Sequence, residues 1–248
     1  MDDRKTIIVT GALGGIGRAT ARLLAEMGAH IVLTDIHDAG GAEFADELSS
    51  TGVEASYFRA DLVDEDQVRA LVDHTIDKFG RLDGAFNNAA VHQHGKTLVD
   101  LTSDEFMKVM QVNVLGTFHC LKHQMPAMKN GGSIVLMSSG LGVMALPNRT
   151  EYIASKHAVC GLARAAALEG APMGIRVNAI LPGSIKTPAV EASIPGAEER
   201  ARKLHLLDRI GRAEEVGHAA RYLLSDDSSF VTGVLFPVDG GLTAGRRV

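Results

Sequence analysis

Short runs of consecutive apolar residues alternate with longer segments of helical spacing almost from end to end of the chain. Thr6-Ile7-Ile8-Val9 is rich in β-branched residues and is followed by a glycine, so it reads as a buried strand. Residues 15–27 then place Ile16, Ala19, Leu23 and Leu24 on one side of a helix, with Gly28 just past its end. The rhythm continues with a strand at 31–33, a helix at 39–50, a strand at 54–59, a helix at 64–79 and a strand at 82–86. The acidic run Asp64-Glu65-Asp66 suits a helix start, where the macrodipole favours negative charge. A long helix is predicted from Ser103 to about Lys129, opened by Thr102 and Glu105 in the spacing of a capping box. The second half predicts a strand at 133–137, a helix at 150–169, a strand at 175–180, a helix at 213–224 and a last strand at 233–236.

Strands apolar on both faces, alternating with helices, require a parallel sheet covered on each side. The pattern therefore predicts a doubly wound α/β fold with a seven-stranded parallel sheet, in a single domain over residues 1–248. The stretch at about 183–211 is too irregular for an ordinary connection and reads as a variable substrate loop, with the charged turn at 198–203 on its outside.

Composition narrows the partners. Lys and Arg number 25 against 30 Asp and Glu, a formal charge of -5, so no basic excess marks the chain for nucleic acid. The only cysteines, Cys120 and Cys160, lack the spacing of a metal site or a disulfide framework and fit a reducing cytoplasm. Met1-Asp2-Asp3-Arg4-Lys5 leads into an apolar run too short for a signal peptide, and no apolar stretch nears the ~20 residues of a membrane helix. His119 and His123 share a helix face without a clear third ligand, so no metal is expected.

Candidate chemistry begins at Thr10-Gly11-Ala12-Leu13-Gly14-Gly15-Ile16-Gly17, between the first strand and the first helix. Glycines there permit a sharp turn that brings backbone N–H groups against a pyrophosphate at the helix N-terminus. A tight turn with no ligand is the alternative; its position after the first strand favours the nucleotide. Asp35 ends the second strand, where a carboxylate can bond the adenosine ribose 2′-OH and repel a 2′-phosphate. No Lys or Arg occupies 12–16, Ile36 or His37, so NAD is favoured over NADP. Tyr152 and Lys156 lie four apart on a predicted helix, a spacing in which an ammonium can favour the phenolate and make it a general acid/base. Ser138-Ser139 ends the fifth strand at the carboxyl edge of the sheet, where open α/β folds bind ligands.

Taken in order, these motifs resemble those of the short-chain dehydrogenase/reductases over nearly the whole chain. Thr10-Gly11-x-x-x-Gly15-x-Gly17 is similar to the family's cofactor turn, and Asp61-Leu62 to the pair that meets adenine. Asn87-Asn88-Ala89-Ala90 resembles its NNAG motif, with Ala90 in place of glycine. Asn113 matches the helix asparagine, Ser139 stands 13 residues before Tyr152, and Tyr152-x-Ala154-Ser155-Lys156 is similar to the YxASK signature. Pro182-Gly183-Ser184-Ile185-Lys186-Thr187 resembles the segment along the nicotinamide.

The resemblance implies a Rossmann-type fold and hydride transfer with NAD. Ser139 would polarise the substrate oxygen, Tyr152 would exchange its proton, Lys156 would lower the Tyr152 pKa and bond the nicotinamide ribose, and Asn113 would position a water. Gly11, Leu13, Gly15, Ile16 and Gly17 would meet the pyrophosphate end. Asp35, Ile36, Asp61 and Leu62 would meet the adenosine, and Asn88, Ala90, Tyr152, Lys156, Ile185 and Thr187 the nicotinamide half. The segments 82–90 and 236–241 look most like bacterial NAD-linked dehydrogenases of cyclic alcohols, cyclic diols and hydroxysteroids, which implies a homotetramer built through the helices at about 103–129 and 150–169.

Residues 140–147 carry no charge and either wall an apolar substrate site or pack under the sheet edge. In the first case Leu141 and Met144 join Ser139 and Tyr152 around a hydrophobic, cyclic secondary alcohol. His92 and His94 either rim the substrate entrance or are exposed loop residues. The enzymatic alternative is an NADPH-dependent 3-oxoacyl-thioester reductase, which Asp35 opposes. A non-enzymatic NAD-sensing module is opposed by the intact set Asn113, Ser139, Tyr152 and Lys156.

Overall fold

In the computed structural model, which describes residues 4–187 and 197–245, seven strands form one sheet. They are β1 (Thr6–Thr10), β2 (His30–Thr34), β3 (Ala55–Tyr57), β4 (Gly84–Asn87), β5 (Gly132–Met137), β6 (Ile175–Pro182) and β9 (Leu235–Val238). The order is β3-β2-β1-β4-β5-β6-β9, and every pairing is parallel. The chain order reverses between β1 and β4, the place where open α/β sheets leave a crevice at their carboxyl edge.

Alternation along the strands divides the core in two. Ile7, Val9, Ile31 and Leu33 face one side and pack with α1 (Gly15–Glu26), α2 (Gly41–Ser49) and α8 (Ala213–Leu224). Ile8 and Val32, one residue out of step, face the other side and pack with α3 (Glu65–Phe79), α5 (Gly116–Ala127) and α6 (Thr150–Gly170). A strand with a core on each face has no polar side to show, which is why these runs are continuously apolar. No helix of the described residues is long and apolar enough to cross a membrane.

Local signals hold where hydrogen bonds span a few residues. Asp64 caps α3, accepting from Asp66 N at 3.0 Å and Gln67 N at 3.3 Å. The capping box is formed: Thr102 Oγ1 accepts from Glu105 N at 3.2 Å, and Glu105 Oε2 accepts from Thr102 N at 3.0 Å. The helix that the spacing predicts over 103–129 is instead broken into α4 (Ser103–Met110), a π-helical turn at Gln111–Leu115, and α5. A π turn inserts an extra residue without altering composition, so the apolar spacing gives no sign of it.

Two further differences have physical reasons. The last strand begins at Leu235 and not at 233, because Gly233 takes φ +72° and donates its N–H to Val177 O before the ladder to β6 starts. The irregular stretch is closed at its base by a small parallel pair, β7 (Ile185–Lys186) with β8 (Gly211–Arg212), which the sequence pattern does not show. Within it, α7 (Ala197–Arg202) carries the charged turn, with Arg202 Nη2 at 2.8 Å from Glu199 Oε1. Residues 188–196 of the loop lie outside the described residues.

Gly17 shows how tightly the first turn is packed. A Cβ there would sit 2.2 Å from Gly11 O and 2.8 Å from Ala12 Cα, both backbone atoms that cannot swing aside. Gly17→Ala is expected to destabilise the fold by about 1–3 kcal/mol through overpacking, read as a lower thermal midpoint. An unchanged midpoint would show that the turn has slack.

Candidate active site

The cradle for a nucleotide lies between the ends of β1 and β2. Gly11 takes φ +60°, and a Cβ there would lie 2.8 Å from Ala89 Cα, so only glycine lets the first turn pass against the segment after β4. Gly14 caps α1 with no side-chain hydrogen bond, and no acidic residue occupies the first turn, so the N–H groups around Gly15 and Ile16 face outward without a protein anion in their way. Asp35 ties this turn to β2: its Oδ2 accepts from Leu13 N at 3.1 Å and its Oδ1 from His37 N at 3.2 Å. Ile36 beside it is exposed. Asp61 comes close through Ala60, whose N–H donates to Asp35 O at 3.1 Å, while Leu62 is buried against Val68 and Cys120.

Two guanidiniums that the sequence reading did not place also reach this edge. Arg18 Nε donates to Leu13 O at 3.1 Å and stacks 4.6 Å over the Phe44 ring; Arg59 Nε donates to Ile36 O at 3.1 Å. They come from one turn into α1 and from just past β3, positions where an arginine carries no local signature.

The segment after β4 is held by side chains. Thr10 Oγ1 accepts from Asn88 N at 2.9 Å and from Ala89 N at 3.0 Å, and Asn88 Nδ2 donates to Thr10 O at 3.0 Å and to Gly11 O at 3.1 Å. Ala90 is exposed and is not among the residues of positive φ, so the backbone there does not demand the glycine of the family motif. Asn113, at the centre of the π turn, braces the next residue: its Oδ1 accepts from Val91 N at 2.8 Å, and its Nδ2 donates to Val91 O and Ser155 Oγ, each at 3.0 Å. The Asn113 side chain thus locks a loop to α6 across the extra residue of the π turn.

Ser139, Tyr152 and Lys156 converge at the carboxyl end of β5. Ser139 caps a short 3₁₀ turn at Gly140–Gly142, its Oγ accepting from Leu141 N at 3.1 Å. Burial pushes the Tyr152 pKa up, opposed by a hydrogen bond with Ser139 and by the charge of Arg149. Lys156 is 1% exposed, and burial pushes its pKa down to about 7. Its Nζ donates to Met137 O at 2.8 Å and stands 5.4 Å from the centroid of the Tyr152 ring. The charge set against the phenol in this arrangement is that of Arg149, a residue with no signal in the YxASK spacing.

Around this centre, Leu141 is 6% exposed and Val143 46%, with Met144 half-buried between core and cleft. The accessible apolar surface of the stretch is therefore carried more by Val143 than by Leu141. Ile185 is buried in the same core as β1, and Thr187 is half-buried beyond it. His205 anchors their segment, accepting from Ser184 N through Nε2 at 3.0 Å and donating through Nδ1 to Ala201 O at 2.7 Å. His92, from the loop after β4, stacks on Tyr152 with ring centroids 5.7 Å apart and planes at 24°. His119 and His123 are spent elsewhere, on Leu62 O at 3.0 Å and on Glu65 Oε1 at 3.0 Å. Among the described residues no group of three or more His, Cys, Asp or Glu could hold a metal ion.

Known proteins share this whole frame. The family model described as Enoyl-(Acyl carrier protein) reductase matches residues 11–243. A 2,5-dichloro-2,5-cyclohexadiene-1,4-diol dehydrogenase of Sphingobium indicum is 45% identical over 246 residues, covering 97% of each chain. A cyclohexanol dehydrogenase of an Acinetobacter species is 38% identical over 244 residues, covering 98% of this chain and 96% of that one. The crystal structure of carveol dehydrogenase from Mycobacterium avium in complex with NAD superposes with a TM-score of 0.90 at 32% identity, over 97% of this chain and 98% of that one.

Proposed function

The chain belongs to the short-chain dehydrogenase/reductase family, and from that premise we propose that it oxidises an apolar, cyclic secondary alcohol to the ketone, with NAD as the acceptor. One observation carries this reading: Ser139, Tyr152 and Lys156 come together at the carboxyl edge of the sheet, with Lys156 buried, its Nζ on Met137 O and 5.4 Å from the centroid of the Tyr152 ring. The donor set fits a dinucleotide. Gly11 and Gly17 let the turn between β1 and α1 pack closely on itself and on the segment after β4, the first turn of α1 has no acidic residue, and Asp35 offers acceptors at the end of β2. Bound there, NAD would take the hydride from the carbinol carbon.

The rest is done by the chain. Ser139 donates a hydrogen bond to the substrate oxygen, and Tyr152 takes the hydroxyl proton as it leaves. For that the phenol must first be ionised, and burial works against it. The charge of Arg149 opposes this effect of burial. With its pKa pushed down to about 7 by burial, Lys156 changes its charge close to neutrality. Asn113 fixes the loop that borders these groups. The Asp35 carboxylate, half-buried and close to the glycine turn, supports NAD over NADP.

The same reading extends to a homotetramer in the cytoplasm, with hydroxysteroids among the candidate alcohols. Met107 on α4, Leu115 and Phe118 around α5 and Leu168 on α6 are exposed apolar side chains on the helices expected to meet, and both cysteines are buried and free. Activity is tested by following reduced cofactor at saturating NAD+ or NADP+ with a panel of cyclic alcohols and hydroxysteroids, beside a 3-oxoacyl thioester with NADH or NADPH. Turnover of a cyclic alcohol with NAD+ is the expected result. Turnover confined to the thioester with NADPH would replace this reading by the acyl-thioester reductase.

A further inference from the structure

His92 is one of two residues, with Gln93, between two fixed points of the loop after β4. On one side Val91 is gripped through both its N–H and its carbonyl by Asn113. On the other, His94 N and Nδ1 lie 2.7 Å and 3.2 Å from Glu151 Oε1. The Glu151 side chain is fully buried and its Oε2 has no hydrogen-bond partner among the described residues, while, against the effect of burial, the bonds from His94 and from its own backbone hold its pKa below the usual value. A loop that merely connected β4 to α4 would need neither grip. Together they hold the His92 imidazole flat against the Tyr152 ring, 5.7 Å between centroids.

The imidazole is also chemically available. The residue is exposed overall, yet desolvation of its ring and then the charges of Lys156 and Arg149 lower its pKa, which favours the neutral imidazole. A neutral imidazole carries one N–H donor and one acceptor nitrogen, and neither hydrogen-bonds to a described residue. The stretch after Ser139 supplies apolar surface without charge, which suits the carbon ring of a substrate. What that stretch lacks, a neutral group able both to give and to accept a hydrogen bond, is what His92 presents next to the proton-transferring phenol.

We propose that His92 is a specificity residue: it receives a second oxygen of the ring substrate, so that the protein selects dioxygenated rings (diols and hydroxyketones) over simple cyclic alcohols. The proposal rests on the cyclic-alcohol reading above and names the substrate class within it. A neutral imidazole can donate to a carbonyl or accept from a hydroxyl, so either oxidation level of the second oxygen is received. A charged Lys or Arg in its place would bind the carbonyl but could not accept from the hydroxyl.

The test compares cyclohexanol with cyclohexane-1,2-diol and cyclohexane-1,4-diol, at saturating NAD+, in the wild type and in His92→Phe and His92→Gln. The phenylalanine keeps an aromatic ring on Tyr152 and removes both hydrogen-bonding atoms. The wild type is expected to favour at least one diol by about tenfold or more in kcat/KM. His92→Phe should lose about 10- to 100-fold on that diol, chiefly in KM, with cyclohexanol changed less than about threefold. His92→Gln, which retains a donor and an acceptor, should recover part of the loss. Equal losses on diol and cyclohexanol would mean that His92 only steadies Tyr152 and would overturn the proposal, as would a wild type indifferent to the second oxygen. Failure of the wild type on every cyclic alcohol is a separate result, seen before any variant is made, and it removes the underlying reading as well.

Discussion

Tyr152→Phe is expected to lower kcat for cyclic-alcohol oxidation by about 10²- to 10⁴-fold, the usual contribution of a positioned general acid/base. The substitution removes one oxygen and little else. The phenyl ring keeps its place against His92 and beside Lys156, so neither the loop after β4 nor the floor of the cleft has reason to move. What disappears is the hydroxyl beside Ser139 that would carry the proton. The phenyl ring left behind carries no group able to accept or donate a proton. Cofactor binding, read by the quenching or enhancement of NADH fluorescence, and the thermal midpoint should both stay near the wild-type values. A variant that kept full turnover would move the chemistry to another group, and one that kept full biological activity without turnover would favour the NAD-sensing module.

The second large effect is on cofactor choice. Asp35→Asn is expected to reduce the preference for NAD+ over NADP+, in kcat/KM, by about 100-fold. A unit-charge pair about 4 Å apart is worth roughly 4 kcal/mol at an effective dielectric of 20, and solvent screening at this half-buried edge takes away part of it. Asparagine is the informative change because Asp35 also does structural work, accepting from Leu13 N and His37 N. An amide keeps one such acceptor while losing the charge, so a shift in the ratio reports the charge and not a loosened turn. Arg59 and Arg18 lie at the same edge, bonded to Ile36 O and Leu13 O, and are positioned to meet a 2′-phosphate once the carboxylate is gone. An unchanged ratio would show that the Asp35 charge does not face the ribose.

These expectations differ in how far the sequence alone supports them. Gly11, Gly17, Asp35, Ser139, Tyr152 and Lys156 all lie at strand ends or at a fixed helical spacing, so periodicity and motif order suffice to find them. The capping box at Thr102 and Glu105 is legible for the same reason, since both of its hydrogen bonds close within three residues. His92 illustrates the opposite case. Its neighbours along the chain leave it equally an exposed loop residue or a rim residue; the fold leaves it exposed and stacks its ring on Tyr152, 60 positions away, a contact the local pattern does not show. Arg149 is similar: three residues before Tyr152 it looks like any surface cation, yet its charge is the one set against the phenol.

By itself the sequence determined the alternation of strands and helices, the parallel sheet that this alternation demands, and the residues gathered at its carboxyl edge. Those features follow from burial periodicity and from backbone geometry, which are properties of adjacent residues. Tertiary structure decided the π turn that lets Asn113 reach Val91 and Ser155, the small β7–β8 sheet, and the grip of Glu151 on His94. It also decided the direction of Lys156, whose Nζ bonds Met137 O, and put the Arg149 charge where it opposes the effect of burial on the phenol. Hydrogen bonds and charges between distant segments depend on how close packing brings those segments together, and local pattern does not encode that distance.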